Sequence, residues 1–332
     1  MARTPKGEEG ERFMRVLRTA FWCALTVATI GFVVSRLGEW HVVSGIASLR
    51  PAWLALAAAI LSVHYALIFT LWTLLLRTLG CELRTSAAFR AFCLSLLPKY
   101  VPGKVVSAGL RARLATEAGA PLLAVSTSLV LEMALGIASA GVVALLGLAL
   151  GIPPSLARAA RWLAIVLGIG ALAFVGVFSV PLPALRWKQR IGPHLTPATA
   201  LRLAVLLVLY TAGWSILALS HWALARAIQP LSIGAVVPLG TALAISWGIG
   251  ALSLFAPAGL GVKDGALYLS VRGILGDRNA LVFAALSRLL SVTVETAITA
   301  AYWISAWAHR TPPITDHQQP SDADRAAPPP LS

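Results

Sequence analysis

The sequence predicts an all-α, polytopic integral membrane protein with about six full transmembrane helices and two Pro/Gly-broken segments that enter the membrane and turn back. Three observations carry this. Hydrophobic residues make up 58% of the 332 and charged residues only 12%, against about 25% charged in an ordinary soluble domain. The mean hydropathy is +0.80. The apolar residues also fall in long blocks, at 21–34, 52–76, 122–151, 162–180 and 203–225, which reach or approach the roughly 20 residues an α-helix needs to cross a 30 Å hydrocarbon core.

In chain order, residues 1–15 form a polar N-terminal tail, 16–308 the membrane domain, and 309–332 a tail rich in Pro, Asp and Ala that is predicted to be disordered. The block at 21–34 is followed by Ser35, Arg36 and Leu37 rather than a small-residue cleavage site, so it reads as an uncleaved first helix. Full crossings are expected at 18–34, 52–76, 121–150, 162–180, 203–225 and 281–307. Basic residues of the short loops orient them. Arg3, Lys6, Arg12, Arg15 and Arg18 put the N-terminus in the cytoplasm, and His309 and Arg310 put the C-terminus there too. The expected location is the plasma or inner membrane.

The net charge of +14 does not mark a nucleic-acid binder. The basic residues are spread over loops between apolar blocks instead of forming one stripe, and positive loops suit membrane orientation and anionic headgroups. Cys23, Cys81 and Cys93 have no metal-ligand spacing and read as small buried thiols. His64 and His221 each lack a second ligand at helical spacing, so interhelical hydrogen bonds are expected of them, and no metal.

The two broken segments resemble each other. Residues 94–98 read Leu-Ser-Leu-Leu-Pro and residues 252–257 read Leu-Ser-Leu-Phe-Ala-Pro. Each proline is followed by glycine and then lysine: Pro98, Gly103 and Lys104; Pro257, Gly261 and Lys263. Each segment follows one long apolar helix and precedes another, which suggests two weak inverted-repeat halves. Loop charge does not decide whether 87–104 and 235–263 cross or re-enter, because two crossings preserve parity. The prolines and the charges within them favour re-entry, with the irregular backbone buried in protein or lining a wet cavity. Paired breaks of this kind mark transporter sites near the midplane. A restarted helix presents free N–H groups and a positive dipole end. With Lys99, Lys104 and Lys263 nearby, such a site would favour an anion, and Gly259 and Gly261 would permit close backbone approach.

Ionisable residues inside the long helices are the second signal, since a charge at the bilayer centre costs about 2.5–3.5 kcal/mol on insertion scales. Glu132 lies midway along its apolar run. Arg288 and Glu295 lie two turns apart on one helix and cannot pair with each other, so each needs another partner. Glu132 and Glu295 are expected to pair with basic residues of the broken segments. Such pairs either serve as structural interhelical bridges or order a polar cavity.

At these residues the chain resembles the lysylphosphatidylglycerol synthase transmembrane, or flippase-like, family. The resemblance rests on Phe-Arg-Ala-Phe at 89–92, Pro98, Pro102-Gly-Lys104 and Arg111, then on residues 255–264, Phe-Ala-Pro-Ala-Gly-Leu-Gly-Val-Lys-Asp, with Ser-Arg-Leu-Leu at 287–290. Ala258 departs from the family's usual glycine. The resemblance implies a flippase-like membrane domain that moves an anionic phospholipid or lipid-linked headgroup between leaflets. The substrate-binding residues are taken as Lys99, Lys104, Arg111, Gly259, Gly261, Lys263, Asp264 and Arg288, with Glu132 and Glu295 as cavity acids. The family's aminoacyl-transferase domain has no counterpart in this sequence, so the synthase activity is not carried over.

No catalytic residue, metal or cofactor is expected. Residues 259–264 faintly echo an intramembrane aspartyl protease, but the aspartate is displaced and a second membrane-embedded aspartate is missing. Glu39 stands alone in its loop, where an enzyme acting on a lipid-linked sugar would cluster carboxylates. No phosphate-binding Gly-x-x-x-x-Gly-Lys-Ser/Thr is present, so ATP is not the driving force. Membrane phospholipids are the expected partners, with a separate lipid-modifying enzyme as a further one. A small-anion channel or secondary transporter is the alternative reading.

Overall fold

The computed structural model describes residues 49–100, 105–150, 152, 157, 158, 161, 162, 165, 197–252 and 261–308. The predicted helix at 18–34, that at 162–180 apart from residues 162 and 165, both tails, the breaks at 101–104 and 253–260, and with them Lys104 and Gly259, lie outside the described residues. Those described are helical, with no strand among them. Numbered in chain order, the helices are α1 (Pro51–Thr78), α2 (Thr85–Leu96), α3 (Val105–Glu117), α4 (Leu122–Ala149), α5 (Pro197–Ile228), α6 (Val236–Leu252), α7 (Val262–Leu275) and α8 (Asp277–Ala308). Short 3-10 turns at Leu97–Tyr100 and Ile233–Ala235 end α2 and lead into α6.

Five helices are long and apolar enough to cross a membrane: Pro51–Thr78, Leu122–Ala149, Leu201–Ile228, Ile233–Ala251 and Asp277–Trp307. Four of these are predicted crossings. Helix α5 begins earlier than hydropathy suggests, taking in Arg202, because nothing in 197–202 breaks a helix after its initial proline. The fifth is the entering arm of the second broken segment. With its 3-10 turn it has 19 residues, so length and composition alone allow it to cross. By contrast α2, with 12 residues, is about 18 Å long at 1.5 Å per residue and is too short to cross unaided.

Local chemistry sets the ends. Pro51 occupies the first turn of α1, where its missing N–H is no loss. At the other end Gly80, at φ +73°, turns the chain so that Cys81 N–H reaches Leu76 O at 3.0 Å. Helix α4 is apolar almost all round, Glu132 being its one charged residue. Its outward residues, among them Leu123, Val130, Met133 and Leu145, are exposed in the isolated chain, as a lipid-facing surface requires. Trp162, Trp303 and Trp307 are also exposed, whereas Trp53 and Trp222 meet edge-to-face at 5.5 Å under Arg226 and are half-buried.

The order long helix, helical hairpin, long helix occurs twice: α1, α2–α3, α4, then α5, α6–α7, α8. The core divides along the same line. One buried cluster joins Trp72, Ala91, Phe92, Cys93, Leu114 and Val125 of the first set. Another centres on Leu239, Leu243, Leu267, Val271, Phe283 and Ala284 of the second and draws in Ala57, Ala140 and Ala144 of the first. Helices α1 and α5 pack along most of their length and seal the seam. Arg50 N–H donates to Ala227 O at 3.1 Å, Ser220 Oγ to Ala57 O at 2.9 Å, and His64 Nδ1 lies 3.1 Å from Gly213 O. Leu71 and Leu75 then meet Leu206 and Tyr210. As numbers rise along α1 they fall along α5, so the two opening helices are antiparallel, the relation inverted halves require.

Within each half the hairpin folds back on itself. Ser107 Oγ donates to Ser95 O at 2.6 Å across α2–α3. In α6–α7, Gly250 lies against the Lys263 side chain, so that a Cβ there would sit 3.0 Å from Lys263 Cβ. Small residues let the long helices approach, as membrane interfaces need. At Gly240 a Cβ would stand 2.9 Å from Ala218 Cβ of α5.

Gly240→Val forces α5 and α6 apart and is expected to lower stability by about 1–3 kcal/mol. Gly109→Ala, in α3 with no atom within 4 Å of the new Cβ, serves as the tolerated control. Thermal unfolding of detergent-solubilised protein checks the difference.

Candidate functional site

Seven charged side chains from five elements gather around the two hairpins. In the first half Arg111 of α3 reaches Glu132 of α4 at 2.8 Å, and its Nε donates to Ser95 Oγ at 2.9 Å. Its guanidinium also lies 5.1 Å from the Trp72 ring and 5.0 Å from the Phe92 ring. One side chain therefore ties α1, α2, α3 and α4 together through charge, hydrogen bond and ring face. Trp72 is held in turn by its Nε1–H, which donates to Ser128 Oγ at 3.2 Å.

The second half has the same arrangement with the signs exchanged. Asp264, in the first turn of α7, accepts from Arg288 of α8 at 2.7 Å. The same carboxylate lies 3.4 Å from Gly261 N–H, the residue before the helix, at φ +76°. That left-handed backbone suits glycine alone among ordinary residues. Beside Arg288, Ser287 Oγ lies 2.9 Å from His221 Nε2, which ties α8 to α5.

A third centre joins the halves. Glu295 of α8 is 0% exposed. Its Oε1 accepts from the Tyr65 hydroxyl of α1 and from Lys99 Nζ at 2.5 Å. Lys99 comes from the 3-10 turn that ends the first broken arm, and its ammonium faces Tyr65 at 5.9 Å and Tyr100 at 5.3 Å from the ring centroids. Arg288 approaches the same Tyr100 ring at 5.7 Å. One turn on from Glu295, Thr299 Oγ1 donates to Cys93 O at 3.1 Å, fixing α8 to α2. The other carboxylate oxygen, Oε2, is buried with no hydrogen-bond partner among the described residues.

Lys263 completes the group. Arg288, Lys99, Asp264 and Glu295 all lie within its electrostatic reach. No carboxylate among the described residues pairs with it, because Asp264 and Glu295 are held by Arg288 and Lys99. Four basic residues (Lys99, Arg111, Lys263, Arg288) thus face three acids (Glu132, Asp264, Glu295), and the surplus positive charge falls on the second broken segment.

Of the residues singled out in the sequence, Lys99, Glu295, Lys263, Asp264 and Arg288 are brought together. Arg111 and Glu132 form their own centre, with Arg111 engaged on every side. Glu132 pairs with Arg111 of the helix after the break rather than with a lysine in it, and Glu295 pairs across halves with Lys99. Gly261 begins α7 as a backbone joint. Hydropathy gave no reason to choose Tyr65, Tyr100, Ser95 or Trp72. Tyr65 and Ser95 could have been sought as polar atoms deep in apolar runs, and Tyr100 as the neighbour of Lys99. His64 and His221 make the interhelical contacts expected of them. Among the described residues, no group of three His, Cys, Asp or Glu side chains could hold a metal ion.

A family model described as the lysylphosphatidylglycerol synthase TM region matches residues 19–298. No curated protein matches the chain.

Arg111→Ala strands Glu132 and is expected to cost about 3 kcal/mol. The apolar double replacement Arg111→Met with Glu132→Met recovers most of that loss. Unfolding of the solubilised protein, followed by helical circular dichroism, measures both.

Proposed function

The chain belongs to the lysylphosphatidylglycerol synthase TM-region family, and from that premise we propose that it moves an anionic phospholipid or lipid-linked headgroup between the leaflets of a cell membrane. The family places it among multi-pass membrane proteins of lipid metabolism or transport. The finer reading rests on one observation: Lys263 is a cation at the restart of a broken helix, unpaired among the described residues, in a group where every acid already has a base. A surplus cation in a low-dielectric interior attracts an anion far more strongly than it would in water. A headgroup phosphate offers the matching charge together with several acceptor oxygens.

In this reading the headgroup travels along the polar residues between the two hairpins while its acyl chains remain in lipid. Lys263 holds the phosphate. Arg288 is kept in place by Asp264 and presents its remaining donors toward the same space. Arg111 positions the first hairpin and does not touch the cargo. Movement is driven by a gradient or by consumption of the lipid on the far side, where a separate lipid-modifying enzyme is the natural partner. The chain itself performs no bond-making chemistry. The reading takes both termini to be cytoplasmic, on the basic residues that flank the apolar blocks.

Purified protein in liposomes is expected to accelerate transbilayer movement of a fluorescent phosphatidylglycerol, read by dithionite quenching. Lys263→Ala should slow it about tenfold, the equivalent of roughly 1.4 kcal/mol, and Lys263→Arg should retain most of it. Halide or phosphate flux without lipid movement would instead identify an anion channel.

A further inference from the structure

We propose that Glu295 is a shared counterion for two lysines, one from each broken segment, so that only one of them is free for an anion at a time. This deepens the reading above and rests on it for the identity of the anion. Glu295 is fully buried, yet it uses one oxygen only: Oε1 takes both Tyr65 and Lys99, and Oε2 is left without a hydrogen-bond partner among the described residues. The vacant oxygen lets a second charged donor arrive as the first departs, so the two lysines can trade places without leaving the buried carboxylate bare. Lys263 is within electrostatic reach of Glu295 and unpaired.

The pairing is therefore a choice between two lysines. With Lys99 on Oε1, Lys263 is available and the second segment presents the anion site. If Lys99 leaves, Glu295 cannot stay uncompensated in the interior, and Lys263 is the cation at hand. It then moves onto Oε2, and the first segment presents the site through Lys99. The charged and titratable groups facing this centre are Lys99 and Tyr100 from the turn after α2, Arg111 from α3, Lys263 and Asp264 from α7, Arg288 from α8 and Tyr65 from α1, the Tyr100 hydroxyl lying close to Glu295 as Tyr65 does. Asp264 does not compete for either lysine, because Arg288 holds it at 2.7 Å. Glu295 acts here as a positioning residue: it withholds one lysine and never touches the cargo.

The exchange has a counterintuitive consequence. Removing Lys99 should disable Lys263, because Glu295 captures it. Binding of dihexanoyl-phosphatidylglycerol to the solubilised full chain is expected to weaken about tenfold in Lys99→Ala, although Lys263 is intact. In Lys99→Ala/Glu295→Gln it should return to within about threefold of wild type, because glutamine can still accept from Tyr65 but no longer holds a lysine. Removing the second partner also relieves an ordinary structural bridge, so the readout that separates the exchange from a bridge is the state of Lys263 itself. Amine labelling of Lys263, followed by mass spectrometry, gives a readout that needs neither the double variant nor a lipid. It should slow at least threefold in Lys99→Ala. Unchanged labelling, or a double variant that binds no better than Lys99→Ala, overturns the exchange. If labelling slows but no variant binds the lipid, the exchange stands and the lipid reading falls.

Discussion

The fold depends on one buried carboxylate. Glu295 sits inside a helix that is otherwise apolar enough to cross a membrane, with no exposure to solvent or lipid. Alone there it would cost several kcal/mol. Its partners come from the other half of the chain, Tyr65 from α1 and Lys99 from the turn after α2. Satisfying this one charge therefore requires that the two halves be docked, and docked in one register, since a shift of a single turn along α8 would carry the carboxylate about 5.4 Å away. The Thr299–Cys93 bond one turn on repeats the same instruction. Apolar packing of α1 on α5 supplies contact area, but leucine surfaces slide with little penalty in lipid. The polar contacts decide the register.

The two hairpins obey a similar logic with opposite signs. In the first, the base is on the hairpin (Arg111) and the acid on the following long helix (Glu132). In the second, the acid is on the hairpin (Asp264) and the base on the long helix (Arg288). Either polarity locks a hairpin to its long helix equally well, so the internal similarity of the halves survives a reversal of charge that a residue-by-residue comparison would score as mismatch. The exchange also sorts partners. Arg111 and Arg288 would repel if the first hairpin were docked on α8, so each hairpin is directed to its own long helix.

Much of this was legible beforehand, because hydropathy over 20 residues is a coarse but physical measure of where a helix can sit. Helices α1, α4, α5 and α8 follow from it, and Pro98 marked where α2 gives way to the 3-10 turn Leu97–Tyr100. The internal acids were legible for the same reason: Glu132 and Glu295 are too costly in lipid to be unpaired. Their partners were only partly so. Arg288 and Glu295 share a helix face, so spacing excluded a pair between them, but it could not choose Asp264 for one and Lys99 for the other. That choice is made by how α7 and α2 dock on α8. Tyr65 was hidden because a tyrosine in an apolar run counts as hydrophobic while its hydroxyl does the work. The reach of Ile233–Ala251 was also hidden: its hydropathy of 1.6 equals that of α8, but the Pro/Gly break that follows it favoured re-entry and the parity of the loop charges left crossing undecided.

A final asymmetry follows from the repeat. Tyr65 and Tyr210 occupy matching places near the middle of α1 and α5, and each faces the acid of the opposite half's closing helix. Tyr65 donates to Glu295, whereas the Tyr210 hydroxyl is buried beside Glu132 and Arg111 with no hydrogen-bond partner among the described residues. A buried hydroxyl left unpaired costs about 1–3 kcal/mol. That penalty is tolerable only because Arg111 already satisfies Glu132 with charge and draws the carboxylate to itself. The first centre is thus closed by its arginine. The second leaves its lysine over, because the acid that could have paired with Lys263 is spent on joining the halves. The docking of the halves and the surplus charge between the hairpins are consequences of the same carboxylate.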